Sequence, residues 1–508
     1  MSPPGRPKGE YRSAQREGTP ESPPGRPKGE YRSAQREGGP VRPPGRPKGE
    51  YRSAQREGGP VRPPDPFSIF CAAQDAPAAE GLRLGARSCS FAELAAMTER
   101  RIAELRSEVR ERTPYPLLGT NTLETVVTLY GLLEMKIPAL LVHPQLTATE
   151  RAGLSAAAAR AGAVPHPDAA AIIHTSGTSG EPRGAVLTRS ALAASAQASA
   201  TNLGWEPDDA WMLCMSIARI GGLSILTRAL AARRCVALSP GFDAASFPEW
   251  IASQRVTLVS LVPTMLMRVL DHHPEWTAPT HLRAVLLGGA AASPRLLMRA
   301  AARRCPVVLT YGLTETCSQI CATPYTARFA PADWGAGIPL PGIDVRIRDG
   351  RIEVRGPVLT AGYWTEAPLA PHAWFDTGDL GAIDARGCLH VHARRADLIV
   401  TGGENAYPAE VEQALEAFPG IAAAGVFGVP DEVWGHTVAA ALVAERHPPS
   451  DADLIEYLSR RLAPHKRPRH VCYVDRLPLA PTGKLDRRAL PGIAQELRPL
   501  SRRCASRA

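Results

Sequence analysis

In FAELAAMTERRIAELRSEV, which starts at Phe91, apolar residues return every three or four positions, and Ser90 stands where a helix takes its N-cap. That spacing predicts an amphipathic helix. Later segments follow another rule. AAIIH (170–174), TLVSLV (257–262), LRAVLL (282–287) and PVVLT (306–310) are short apolar runs, and each ends in a loop rich in Gly, Ser, Thr or Pro. They read as strands. Strands alternating with helical stretches predict a largely parallel sheet covered by helices, in which ligands bind beyond the carboxyl ends of the strands.

A smaller unit opens near Arg394. DLIV leads into Gly402-Gly403, and Pro408, Glu410 and Glu412 suit the first turn of a helix. GVFGV, HTVAAALVA and RHVCYV read as strands and ADLIEYLSRRL as a helix. The expected fold class is therefore α/β. A large N-terminal domain (65–393) of parallel or mixed sheets covered by helices precedes a small C-terminal α+β domain (394–497) and a frayed tail (498–508).

The first 64 residues obey neither pattern. PPGRPKGEYRSAQREG begins at Pro3, Pro23 and Pro43, a tandem repeat of period 20 whose shared stretch has no Leu, Ile, Val or Phe. Such units bury too little apolar surface to offset chain entropy, so 1–64 is expected to be disordered. This segment changes the reading of the charge. The chain carries a net +9, but residues 3–62 hold 14 Lys/Arg against 7 Asp/Glu, and the remainder is nearly neutral. A specific nucleic-acid partner is not expected of the folded part. The repeats read either as an electrostatic tether to an anionic surface or RNA or as a dispensable extension.

The 508 residues exceed the usual size of one domain, and 44% apolar with 21% charged residues allows a sizeable core. Ten scattered cysteines without a CxxC pair suggest reduced thiols in a cytoplasmic protein. No apolar run reaches the length of a membrane span, and the N-terminus lacks a secretory pattern.

Four segments carry chemistry. HTSGTSGEPRGA (174–185) follows a strand with small hydroxyl and glycine residues, which lets backbone N–H groups approach phosphate oxygens. It is expected to sit between an apolar strand and an apolar helix. GxxxxGK[ST] is absent, which removes the anchor of a P-loop ATPase. TYGLTET (310–316) puts an aromatic, a hydroxyl and a carboxylate on one short loop: Tyr311 to stack on a base, Thr314 to bond a phosphate and Glu315 to hold Mg²⁺. By itself this loop is more often a packed turn. WFDTGDLGAID (374–384) places Asp376 and Asp379 in a tight turn, where a carboxylate suits ribose hydroxyls or serves turn chemistry alone. PLAPTGKLDRRAL (478–490) presents Lys484, on spacing alone a solvated charge.

In this order the four segments resemble the core motifs of the adenylate-forming superfamily, which contains acyl-CoA and aryl-CoA synthetases, adenylation domains of peptide synthetases, and luciferases. The resemblance runs from about Ser90 to Leu490 and extends to LLGGAAASP (286–294), GIPLPG (337–342), RGPVLTAGYW (355–364) and RRADLIVTGGENAYPAEVE (394–412). It implies an ATP-dependent acid–thiol ligase with Mg²⁺ and coenzyme A. A carboxylate attacks the α-phosphate of ATP, pyrophosphate leaves, and a thiol then displaces AMP. The resemblance assigns Thr175, Ser176, Gly177, Thr178, Ser179 and Gly180 to the β- and γ-phosphates and Thr314 to the α-phosphate. It assigns Glu315 to the metal, Asp379 to the ribose, and Arg394 to ribose or phosphate. Gly289 and Tyr311 fall to the nucleotide and Gly288 to the acid. Lys484 bridges the carboxylate and the α-phosphate. The small domain is mobile in this family. It rotates to withdraw the lysine and bring Gly402 and Gly403 to the thiol channel. Ala393 stands in place of a usual glycine, Ala396 in place of a frequent acidic hinge residue, and Glu181 and Arg183 where lysines are common.

WMLCMSIARIGGLSILTRAL (211–230), with LVSLVPTML and LRAVLLGGAAAS, is most similar to the o-succinylbenzoate–CoA ligase family of menaquinone biosynthesis. That family carries an arginine at the position of Arg228 for the substrate's second carboxylate. Nine residues earlier a frequent histidine is replaced by Arg219, which alters the expected pocket. Arg228 reads otherwise as a surface arginine on a helix. Three possibilities stand: this ligase; a ligase for another aryl or acyl acid, or an adenylating enzyme that loads a carrier protein; and a catalytically idle scaffold. Intact Lys484, Glu315 and Asp379 speak against the last.

Overall fold

The computed structural model describes residues 65–501, apart from 112, 162–163, 165, 177–181, 331–333, 395–396, 402–403, 481–483 and 494–495. The repeats and their expected disorder, most of the phosphate loop, Ala396, Gly402 and Gly403 lie outside the described residues.

The expected α/β class is what the chain adopts. The large domain is built on three sheets. The widest has nine strands. Its six central strands, Glu80–Leu84, Cys235–Leu238, Ala210–Leu213, Leu258–Leu261, Ala284–Gly288 and Val307–Leu313, are mutually parallel. Antiparallel strands close both edges. The apolar runs are the reason: a strand covered by helices on both faces has no polar face to alternate with. Val259, Val285 and Val308 are all fully or almost fully buried, and Trp211 is fully buried with its indole N–H donated to Ser260 Oγ at 3.1 Å. The helix expected from Phe91 runs Phe91–Leu105, and Ser90 forms a capping box with Glu93.

A second sheet pairs Tyr115–Leu118, Ala139–Val142 and Ala169–Ser176 in parallel and adds Pro182–Thr188 antiparallel. Here the expectation changes: the phosphate loop is flanked by two strands of a hairpin, and the helix Arg189–Leu203 follows only afterwards. PRGAVLT carries enough β-branched and apolar residues to pair with AAIIH before the helix starts. A third, antiparallel sheet contains Phe375–Ile383 and Leu389–Arg394. Asp376 and Asp379 thus lie on a strand rather than in a tight turn. Gly378 between them takes φ +76°, a local kink stabilised where its N–H donates to Asp376 Oδ1 at 2.8 Å. In the same way Thr310–Leu313 prolong their strand, and only Thr314–Thr316 turn, as a single 3₁₀ turn.

The small domain is a six-stranded sheet with Ile421–Asp431 and Gly435–Ala444 as its long hairpin. Helices Pro408–Glu416 and Asp451–Ser459 pack through Val411, Leu415, Leu454 and Leu458. Arg498–Pro499, expected in a frayed tail, pair with the strand His470–Tyr473, and Arg498 forms an ion pair with Asp451.

Candidate active site

The carboxyl ends of Leu258–Leu261, Ala284–Gly288 and Val307–Leu313 converge, as parallel topology requires. Gly288 and Gly289 follow directly from the middle strand. A Cβ on Gly288 would stand 2.3 Å from Thr310 Oγ1, so only glycine lets these two strands meet. Gly289 takes φ +80°, and a Cβ there would lie 3.3 Å from Lys484 Cε and 3.7 Å from its Nζ. Lys484, 195 residues away on the small domain, therefore lies over Gly289.

Around it the predicted side chains gather. Tyr311 donates its hydroxyl to Asp379 Oδ2 at 2.6 Å, and Arg394 Nε meets Asp379 Oδ1 at 3.0 Å. Asp379 is 5% exposed. Burial lifts its carboxyl pKa, and Arg394, the Tyr311 hydroxyl and Lys484 pull it back. Tyr311 is held well above the usual phenol value by burial and by that carboxylate. The Lys484 ammonium is lowered by crowding protein, then by Arg394 and Arg219, with Asp379 opposing. Part of its side chain still meets solvent. Asp379 thus faces two cations, Arg394 and Lys484.

Thr314 and Glu315 stand on the turn that ends the Val307–Leu313 strand. Glu315 Oε1 accepts the hydroxyl of Tyr363 at 2.9 Å, and the Arg183 guanidinium lies 3.8 Å over the Tyr363 ring. Arg183 also meets Glu366 at 3.4 Å. Tyr363 was legible only as part of RGPVLTAGYW, without a role; its bridge to Ala185 joins the phosphate hairpin to Glu315. Thr175 and Ser176 end the first strand of that hairpin, opposite Arg183 and Pro182. Among the described residues no three His, Cys, Asp or Glu side chains group to hold a metal. A lone carboxylate such as Glu315 fits Mg²⁺, which takes one or two carboxylates and completes its shell with water and phosphate oxygens.

Beneath Gly288 and Gly289 lies a cavity of about 110 Å³, lined by Met215, Ile220, Ser224, Leu286 and Arg228 among others. Arg228 is no surface residue. It sits on the helix Ile220–Ala232 at 3% exposure, with Nη2 3.4 Å from Ser195 Oγ, the Trp211 ring 5.8 Å away, and Nε buried without a partner. Burial pushes its pKa down to about 10. Ser195 in turn donates to the Cys317 carbonyl at 2.6 Å. Cys317 and Ser318 both take positive φ, local strain of the kind that gathers at functional sites. Arg219 precedes the same helix, and its Nε is also buried without a partner.

Residues 152–364 match the AMP-binding enzyme family, and residues 410–484 match the AMP-binding enzyme C-terminal domain. A 2–succinylbenzoate–CoA ligase of Bacillus mycoides (strain KBAB4) is 39% identical over 345 residues, which is 65% of this chain and 71% of that protein. The chain belongs to the adenylate-forming AMP-binding enzymes. Solved relatives of this AMP-binding enzyme include o-succinylbenzoate coenzyme A synthetase of Bacillus subtilis with ATP and magnesium ion. That structure is 31% identical, has a TM-score of 0.74, and covers 83% of this chain and 98% of that one. A double mutant of the same synthetase bound to the product analogue OSB-NCoA, with 31% identity and 85% and 99% coverage, scores 0.60.

Proposed function

We propose that this AMP-binding enzyme activates o-succinylbenzoate with ATP and passes the acyl group to coenzyme A. The observation that carries the substrate is Arg228: a guanidinium at the floor of an apolar cavity, without an acidic partner among the described residues. A buried unpaired cation costs several kcal/mol, so a pocket that keeps one is built for an anionic substituent. A dicarboxylic aryl acid supplies one carboxylate to Arg228 and leaves the other beneath Lys484.

The division of labour follows from the geometry. Asp379, whose carboxylate Tyr311 and Arg394 stabilise against burial, accepts ribose hydroxyls. Thr175 to Gly180 and Thr314 hold the phosphates, and Glu315 holds Mg²⁺, which would neutralise phosphate charge when bound. Lys484 holds the attacking carboxylate against the α-phosphate as a mobile point charge. Its withdrawal with the small domain, residues 394–497, clears the acyl carbon and brings Gly402 and Gly403 to the thiol. A cytoplasmic location fits the nine described cysteines, all free thiols. Among the described residues no helix is long and apolar enough to cross a membrane.

The test is ATP–pyrophosphate exchange across a panel of carboxylic acids, followed by a CoA-ester assay. The expected result is a clear preference for o-succinylbenzoate and its conversion to the CoA ester. Exchange with o-succinylbenzoate no faster than with mono-acids refutes the substrate, and an acyl-adenylate that loads a carrier protein but not CoA refutes the acceptor.

A further inference from the structure

Arg219 stands just ahead of the helix Ile220–Ala232, with extended backbone and no side-chain cap bond. The next two residues, Ile220 and Gly221, line the cavity together with Gly288 and Gly289. Lys484 lies over Gly289 from the other domain. Arg219 thus immediately precedes the cavity lining on the side of Lys484, and Arg228, a lining residue, follows nine residues later, about 13 Å along the helix axis. Its Nε is buried without a partner, and among the described residues no ion pair takes up its guanidinium. One helix thus carries a guanidinium in the cavity lining and a second just ahead of it, each with a buried Nε that has no partner.

We propose that Arg219 is a second anion-binding residue of this site, facing the carboxylate that is activated and remaining on the acyl group through both half-reactions. The inference rests on the acyl-adenylate chemistry proposed above. Its basis is that Arg219 belongs to the large domain whereas Lys484 belongs to the small one. In adenylation a carboxylate oxygen attacks the α-phosphorus, the bond to pyrophosphate breaks, and pyrophosphate leaves with the electron pair. In thioester formation the thiol sulfur, its proton lost to solvent, attacks the acyl carbon, and AMP leaves with the C–O electron pair. A fixed guanidinium there holds the carboxylate in line for attack in the first step and stabilises the negative charge that builds on the acyl oxygen in the second. Burial lowers the Arg219 pKa with no acid to offset it, and both Lys484 and His143 sense its charge.

The experiment compares Arg219→Gln and Arg219→Lys with wild type in two assays: pyrophosphate exchange, with o-succinylbenzoate and with a mono-acid, and single-turnover CoA-ester formation from pre-made acyl-adenylate. Arg219→Gln is expected to slow both half-reactions on the order of 10²-fold and to do so for both acids alike. The alkaline limb of the exchange profile moves to higher pH, because Lys484 loses a neighbouring cation. Arg219→Lys restores most of the rate and the position of the limb. Wild-type rates in Arg219→Gln overturn the proposal, and so does a slowed enzyme whose alkaline limb has not moved, which is what a structural role gives. If Arg219→Gln does not fold, Arg219→His decides. Its exchange rate relative to wild type rises as the pH falls through about 6.5, where imidazole gains its charge, and a flat ratio overturns the proposal. A wild type without preference for the dicarboxylate refutes the substrate assignment alone, since the mono-acid still reports on Arg219.

Discussion

The Tyr311 hydroxyl donates to Asp379 across 2.6 Å and so ties the central sheet of the large domain to its antiparallel sheet. The same carboxylate takes Arg394 on its other oxygen. Burial pushes Asp379 toward the neutral acid, and these donors oppose it. The ribose contact proposed for Asp379 needs the ionised form. Tyr311→Phe removes one donor, so the Asp379 pKa rises further and the acid limb of the adenylation profile moves to higher pH. Loss of a buried hydrogen-bond partner costs about 1–3 kcal/mol, which at neutral pH is expected as a rise of about tenfold in KM for ATP. An unmoved acid limb in pyrophosphate exchange contradicts this account.

Lys484 reaches Gly289 from the small domain, and Arg295 fastens the two domains while it does so. Arg295 Nη1 donates to the Ile421 carbonyl at 2.9 Å, and its Nη2 pairs with Glu445. Lys484→Ala should lower pyrophosphate exchange by roughly two powers of ten yet largely spare CoA-ester formation from pre-made acyl-adenylate. Arg295→Ala should slow exchange more mildly and leave or speed the second step, because it loosens only the first arrangement. Equal damage to both steps by either variant contradicts alternation of the domain.

Much of this was legible before any coordinates, and the reasons differ by residue. The capping box at Ser90 and the apolar runs at 257–262 and 282–287 obey local rules, so pattern reading located them. Lys484 is the opposite case. Alone it is a solvated lysine, and only the ordered set of motifs gave it a role; its place over Gly289 depends on a contact 195 residues distant. The strand Pro182–Thr188 was missed because seven residues after a Gly-rich loop read equally as the approach to a helix, and the pairing that decides it is tertiary. Tyr363 was missed because a tyrosine in a matched motif carries no signal of its hydroxyl's partner. The burial of Arg228 was invisible, since an arginine on an apolar helix is ordinarily placed outward.

Glu416 offers a pH test at the domain boundary. It accepts the Ala424 N–H at 3.2 Å and faces Glu412 on its own helix, Ser293 and Arg295 across the boundary, and Arg487. Burial and then Glu412 raise its pKa to about 7. The folded state therefore holds a proton that the unfolded chain has released, and stability fully present below about pH 4.5 is lost as the pH rises toward about 7. Glu416→Gln cannot ionise. Its Tm should match wild type near about pH 4 and exceed it increasingly up to about pH 7, levelling off above, in paired thermal-unfolding series. A Tm difference independent of pH places Glu416 in an ordinary solvated state.

The substrate role proposed for Arg228 ties stability to substrate choice. The Arg228 guanidinium lies at 3% exposure with one hydroxyl neighbour, a pKa pushed down to about 10, and an unpartnered Nε. Replacing a buried, poorly paired charge with an apolar side chain of similar length is often neutral or stabilising by about 1–4 kcal/mol. Arg228→Met is therefore expected to unfold at the same or a higher temperature than wild type when no substrate is present. With substrate the sign reverses, because the distal carboxylate loses its partner inside a desolvated pocket. That loss costs on the order of 2–5 kcal/mol, about 30-fold to several thousand-fold in kcat/KM. Mono-acids never engage the arginine, so their weak turnover should hardly change. The deciding quantity is the ratio of o-succinylbenzoate to mono-acid turnover, read beside the apo Tm of the same two proteins. A fallen Tm with an unchanged ratio makes Arg228 a structural residue and removes the support for a dicarboxylate. A held Tm with a collapsed ratio is what a cation kept for its substrate requires.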